Sequence, residues 1–239
     1  MKVLFKSFFV FMQDLFSSNR ASRNVIWNLI GGAWTGVLIV VATPWYVSIL
    51  GLEGYAIVGL WFVMQVMMGL FDIGMGAALL REFADSRRDS NDHELKRNLL
   101  RTLEIVYWAI AGILTLILAL AAVWIEDHWL QSHYQEPGSM GAAIQLMAIA
   151  LGLQFPSGLY SNGLAGLQEH WRLNALQIMG NSLRYGIGLA VLFWRADLIY
   201  FFAAQTIVAA VQTFWTRRIL LGILYEENSQ PAMFSAKIF

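Results

Sequence analysis

The chain has 239 residues, of which 58% are hydrophobic and 13% charged, roughly half the charged fraction of a soluble domain. Sixteen basic residues balance sixteen acidic ones, so the net charge points to no nucleic-acid or acidic partner. There is no cysteine, which excludes disulfides, thiolate nucleophiles, Cys-ligated metals and iron–sulfur clusters.

At the amino terminus, Leu4, Phe5, Phe8, Phe9, Phe11, Met12, Leu15 and Phe16 repeat at helical spacing opposite Lys6, Gln13, Asp14 and Ser17. That pattern suits a helix lying in the membrane interface. A signal peptide fits less well, because Lys6 interrupts its apolar core and Arg20 and Arg23 follow at once. The predicted amphipathic segment covers residues 1–23.

Six apolar stretches come next. Residues 24–52, 105–125, 137–168 and 198–216 are free of charge, while 54–80 and 173–194 hold one charge each, Asp72 and Arg184. A helix needs about 20 residues to cross the hydrocarbon core, and six such stretches could not be buried by what remains of the chain. Lys and Arg crowd alternate gaps. Lys2, Lys6, Arg20 and Arg23 precede the first stretch, and Arg81, Arg87, Arg88, Lys96, Arg97 and Arg101 separate the second and third. Arg172 lies between the fourth and fifth, and Arg217, Arg218 and Lys237 follow the sixth; the remaining gaps hold only Arg195. The positive-inside rule puts the basic side in the cytoplasm. The predicted fold class is therefore an all-α integral membrane protein, with six transmembrane helices in residues 24–218, both termini cytoplasmic and a tail or linker over 219–239. Residues 81–104, free of Gly and Pro, read as a cytoplasmic continuation of the second and third helices. Residues 126–139 read as a short outer loop turning at Pro137-Gly138-Ser139.

Asp72 lies within the second stretch, where a carboxylate is costly unless it faces water, a partner or a proton. It is a candidate functional group, or else the cap of a helix break. Arg184 lies mid-way along the fifth stretch and cannot shed its charge, so it requires water, a carboxylate or an anionic ligand. A polar cavity holding both charges is the favoured reading, with a buried Asp72–Arg184 ion pair as the alternative. Asn28, Asn162 and Asn181 are weaker candidates for the same site, alongside Gln65, Gln154, Ser157, Ser161 and Gln205, since helix–helix hydrogen bonding accounts for most such residues. Pro44 and Pro156 should kink their helices. His93, His128, His133 and His170 fall in predicted loops without metal-ligand spacing and read as surface groups. No zinc motif, serine elbow or phosphate loop is present, so no metal and no enzymatic activity are expected.

Several motifs occur in a familiar order: Pro44-Trp45-Tyr46, then Leu50-Gly51-Leu52-Glu53-Gly54-Tyr55, then Leu70-Phe71-Asp72-Ile73-Gly74-Met75-Gly76 with its exit at Arg81-Glu82-Phe83, and finally residues 164–174, LAGLQEHWRLN. From about Asn24 to Arg218 the chain resembles the polysaccharide-biosynthesis and O-antigen flippase branch of the multidrug/oligosaccharidyl-lipid/polysaccharide exporter superfamily. The resemblance implies one six-helix lobe of a two-lobed transporter in the bacterial cytoplasmic membrane. Such transporters move undecaprenyl-diphosphate-linked oligosaccharides between leaflets, without a cofactor and with coupling to a proton or sodium gradient. It makes Asp72 the span-two acid of the family's Leu-Asp-x-Gly pattern, and the family's cationic cavities suit Arg184 as a contact for diphosphate or acidic sugar. The implied partners are the lipid-linked oligosaccharide, membrane lipid and a second six-helix lobe. A truncated or split gene, a separate chain and a homodimer each account for that second lobe. A non-transporting scaffold of a polysaccharide assembly complex and a cation-coupled drug exporter are the alternatives.

Overall fold

Helix α1 spans Arg20–Leu70, 51 residues, in the computed structural model, which describes residues 20–70, 72, 74–85, 92–128 and 139–225. Drawn straight it would be about 76 Å long, more than twice the hydrocarbon thickness of about 30 Å. It folds back instead. Thr35 accepts a hydrogen bond from Asn181 and Gln65 one from Arg184, and these partners lie one turn apart on a single helix. Positions 35 and 65 of a straight helix would be about 45 Å apart. Tyr46 and Trp61 likewise both meet the ring of Phe201, with centroids at 5.6 and 6.0 Å. The reversal falls at Gly51, whose φ of 70° and ψ of −180° lie in a region open essentially to glycine alone.

The remaining helices are α2 (Met75–Ala84), α3 (Asp92–His128), α4 (Ser139–Gly166), α5 (His170–Trp194) and α6 (Leu198–Tyr225). Among the described residues there is no strand, as expected where hydrocarbon leaves each backbone amide to be satisfied within its own helix. Among the described residues, four segments are long and apolar enough to cross a membrane: Ile26–Leu70, Glu94–Ala122, Met140–Gly166 and Leu198–Tyr225. α5 is not among them, since Asn174, Asn181 and Arg184 lower its hydropathy. The predicted stretch 54–80 is interrupted, because α1 ends at Leu70 and α2 begins at Met75. The predicted interfacial segment falls mainly on residues 1–19, outside the described residues, as do 129–138 of the predicted outer loop and 226–239 of the predicted tail. α6 itself continues to Tyr225, with Leu220 and Leu224 buried. His170, predicted to lie in a surface loop, opens α5 and has a buried Nδ1 with no hydrogen-bond partner.

α4 is the centre of the bundle. Over half of its most apolar window, 56%, is buried, against 17% in α1 and in α3. It packs against α6, α3 and α2 and touches α1 and α5. Small residues on α4, among them Ala143, Ala148 and Ala150, are buried and let neighbouring backbones come close. Thr206 and Thr213 of α6 donate across that seam to the carbonyls of Leu146 and Leu153, at 3.2 and 2.8 Å. α5 is held by the first arm of α1 instead. Asn174 donates to Asn28 and Asn181 to Thr35, both at 2.8 Å, while Trp34 donates to Ser182 at 2.9 Å. The outward faces are apolar, with Val40, Val66, Leu120 and Ile207 each about two-thirds exposed or more. Apolar surface on this scale marks contact with lipid or protein, and the span-length helices beneath it make the chain a multi-pass membrane protein.

Gly51→Ala should lower the unfolding midpoint in detergent, since a side chain in that backbone region costs about 1–3 kcal/mol. Gly36→Ala, helical and with nothing within 4 Å of the added methyl, should leave the midpoint unchanged or raise it. Equal behaviour of the two variants would remove Gly51 as the point of reversal.

Candidate functional site

Asp72 occupies the break between α1 and α2 rather than the interior of a continuous helix. Its amide donates to Gly69 and its carbonyl accepts from Met75, at 3.4 and 3.0 Å, and Gly74 follows at φ 76°. Carboxylate Oδ1 accepts from the amide of Gly76 at 2.9 Å, satisfying a donor at the start of α2, and also accepts a short hydrogen bond from the Tyr107 hydroxyl of α3. A Cβ at Gly76 would collide with Asn162 and Asp72 and crowd Tyr107. Three helices therefore meet at a glycine so that α4's Asn162 and α3's Tyr107 can close around the acid. Of the two readings of Asp72 as a functional group and as a cap, the capping geometry is present, and the carboxylate is also only half-buried.

The exposed part of Asp72 faces a cavity of about 220 Å³ between the second arm of α1, α3 and α4. Gln65, Tyr107, Gln154, Phe155 and Ser157 are among its other lining residues. The lining is thus one carboxylate, neutral amides and hydroxyls, and aromatic rings. Gln65 Nε2 and Gln154 Oε1 are buried without a hydrogen-bond partner, one unsatisfied amide donor and one unsatisfied amide acceptor within this wall.

Arg184 lies behind that wall, 5% exposed. Its guanidinium donates to Gln65 at 3.1 Å and to Gln212 of α6 at 3.3 Å, and it lies over Trp61 at 5.5 Å from the ring centroid. Its carbonyl accepts from Gln205 at 3.1 Å. The alternative of a buried Asp72–Arg184 pair is not what forms. The cation is held by amide oxygens and an aromatic face, and Gln65 links it to the cavity by also accepting from Gln154 at 3.3 Å. Because its surroundings do not neutralise it, Arg184 projects positive potential toward the cavity through a neutral neighbour.

The five sequence candidates thus separate. Asp72 and Asn162 come together, and Arg184 is joined to the same cavity through Gln65. Asn28 and Asn181 stand in the α1–α5 seam, bonded to Asn174 and Thr35. Tyr107 and Gln212 went unread in the sequence, because an aromatic or a lone amide in an apolar run looks like belt or glue until its partner is known. A second polar cluster was also missed. Glu104 is 4% exposed and accepts from Tyr160 at 2.7 Å, from Arg101 at 2.8 Å and from Arg217 in a short, two-pronged contact. It ties α3, α4 and α6 at one level. The available signal was that Glu104 and Arg217 each abut a charge-free stretch, at its start and its end respectively.

Residues 21–235 match the family described as polysaccharide biosynthesis protein. The chain is also 23% identical over 176 residues to a Shigella flexneri protein named "Putative O-antigen transporter". That similarity covers 74% of this chain and 41% of the relative, so the chain spans about two-fifths of that relative's length. No solved structure matches it.

Two contacts can be tested through stability. Tyr107→Phe should cost about 1.5–3 kcal/mol of unfolding free energy in detergent, the range for a hydrogen bond to a charged group, and should be non-additive with Asp72→Asn. Simple additivity would show that the two side chains do not interact. Glu104→Gln should be more damaging than Arg101→Gln, because Arg101 is about half exposed and Glu104 is buried. The reverse order would remove Glu104 as the centre of its cluster.

Proposed function

This chain belongs to the polysaccharide biosynthesis protein family, and on that premise we propose that it forms one lobe of a flippase for undecaprenyl-diphosphate-linked oligosaccharides. The observation that supports this most is the cavity lined by Asp72, Gln65 and Gln154, with the Arg184 guanidinium one hydrogen bond behind it. Amides, hydroxyls and aromatic faces suit sugar, while a cation held by neutral groups suits a diphosphate. Asp72 takes the coupling proton or sodium ion, and Tyr107 and Asn162 shape its surroundings. The role is transport rather than catalysis.

The lobe crosses the bacterial cytoplasmic membrane six times with both ends in the cytoplasm. The fold-back at Gly51 supports two crossings within α1, and the clustering of Lys and Arg in alternate connections supports the orientation. At about 220 Å³ the cavity is below the usual range for even a drug-sized ligand, roughly 300–1,000 Å³. Repeat-built transporters bind substrate where the repeats meet, so the rest of the site comes from a second six-helix lobe. The sugar and diphosphate occupy the joint cavity during alternating access, and the prenyl chain stays in lipid.

In cells that display a polysaccharide dependent on this protein, Asp72→Asn and Arg184→Gln should each reduce translocation of lipid-linked sugar at least tenfold at equal membrane abundance, while Asn28→Ala should not. Translocation unchanged in both charge variants would overturn the site and favour a scaffolding role.

A further inference from the structure

A second concavity lies between α5, which carries Arg184, and α6. It holds about 430 Å³ and is walled by Trp171, Leu176 and Met179 of α5 and by Trp215, Ile219 and Gly222 of α6, with Arg172 at its rim. Along each helix the lining extends over about two turns, or roughly 12 Å. Beyond Met179 the helices close on each other, leaving only about 10 Å³ beside Leu183 and Val208. The groove is therefore open at one end and sealed at the other.

Its surroundings indicate the medium it faces. Leu183, Ile187, Ile207, Val211 and Phe214 are all exposed apolar side chains on the adjoining surfaces, suited to hydrocarbon rather than to an aqueous cleft. The open end has different chemistry. Trp171 is half exposed there, as in an interfacial aromatic belt, while Trp215 stands at the other end of the groove, beside its closure. The Arg172 guanidinium lies over Trp171 at 5.3 Å, and only its Nε faces an acid, Glu169 at 3.5 Å. A guanidinium has four further N–H donors. Arg218 is exposed one residue from Ile219 and one turn from both Trp215 and Gly222. Among the described residues, two guanidinium groups and one carboxylate leave the mouth positive.

The geometry points to a binding site for an anionic glycerophospholipid of the surrounding membrane. One acyl chain lies in the α5–α6 groove, and the phosphate is held by Arg172 and Arg218 beside Trp171. Charge complementarity at the mouth selects an anionic headgroup over a zwitterionic one. The apolar groove distinguishes a lipid from free phosphate. The groove ends one turn short of Gln212, whose amide holds Arg184, and its occupant would brace α5 against α6.

The test is binding, independent of transport. The full-length chain in detergent is titrated with phosphatidylglycerol and, separately, with phosphatidylcholine of the same acyl chains, and adducts are counted by native mass spectrometry. Phosphatidylglycerol should bind more tightly. Arg172→Gln with Arg218→Gln should weaken it roughly thirtyfold, to the phosphatidylcholine level, as expected for two interfacial basic residues. Gly222→Phe should weaken both lipids, because an added Cβ there meets nothing within 4 Å and the ring can occupy the groove without displacing a helix. Equal binding of the two lipids, an undiminished adduct in either variant, or displacement of phosphatidylglycerol by inorganic phosphate alone would each overturn the assignment.

Discussion

Arg184 is a permanent cation almost wholly removed from solvent, and the bundle is arranged around the need to keep it solvated by protein. Its donors reach Gln65 and Gln212, and its charge rests over Trp61. Those partners come from the second arm of α1 and from α6. For both to reach one side chain of α5, α1 must reverse direction, and it does so at Gly51. The reversal also brings Tyr46 and Trp61 onto Phe201, so one aromatic cluster seals the turn and flanks the cation. An isolated charge in hydrocarbon costs several kcal/mol, and here it is offset by amide dipoles rather than by an opposite charge. A neutralising carboxylate would have cancelled the potential that Arg184 presents to the cavity.

The acid is handled in the opposite manner. Asp72 has no basic partner in its helix and sits where the helix breaks, so the free amide of Gly76 and the hydroxyl of Tyr107 both point at it. The group that repairs the broken helix is also the one that opens onto the cavity. Structure and proposed function therefore draw on the same carboxylate, and loss of the charge affects both. The Glu104 cluster lacks this duality. With Arg101, Arg217 and Tyr160 around it, its carboxylate is fully engaged, which suits a tie between α3, α4 and α6 rather than a ligand contact.

The two concavities divide the same way. Between α1, α3 and α4 the walls are amide, hydroxyl and acid, and the space suits a polar solute. Between α5 and α6 the walls are apolar with a basic mouth beside Trp171, and the space suits a lipid. The Gln212–Arg184–Gln65 chain of hydrogen bonds runs from the closed end of the second to the wall of the first. Gln65 and Gln154 drew attention in the sequence as amides within apolar runs. Their pairing was not legible, because residues 89 positions apart leave no periodic trace. Asn28 and Asn181 looked equivalent to Asn162 for the same reason. Each is an amide in an apolar stretch, and only their placement shows two in the α1–α5 seam and one beside Asp72.

By itself the sequence determined that the chain is helical and built for a membrane, that Asp72 and Arg184 are its exceptional residues, and which family it belongs to. Those features are local: run length, the rarity of a charge within an apolar stretch, and the order of short motifs. Tertiary structure decided that Asp72 caps a break, that it meets Tyr107 instead of Arg184, with Asn162 packed against the same glycine, and that Arg184 lies behind Gln65. It also decided that α5 and α6 part at one end to leave a groove. These outcomes depend on which helix faces lie against each other. In an almost uniformly apolar chain, periodicity does not separate a face turned toward lipid from one turned toward protein, so the pairing is settled only when small residues, aromatic rings and buried polar groups find mutually compatible contacts.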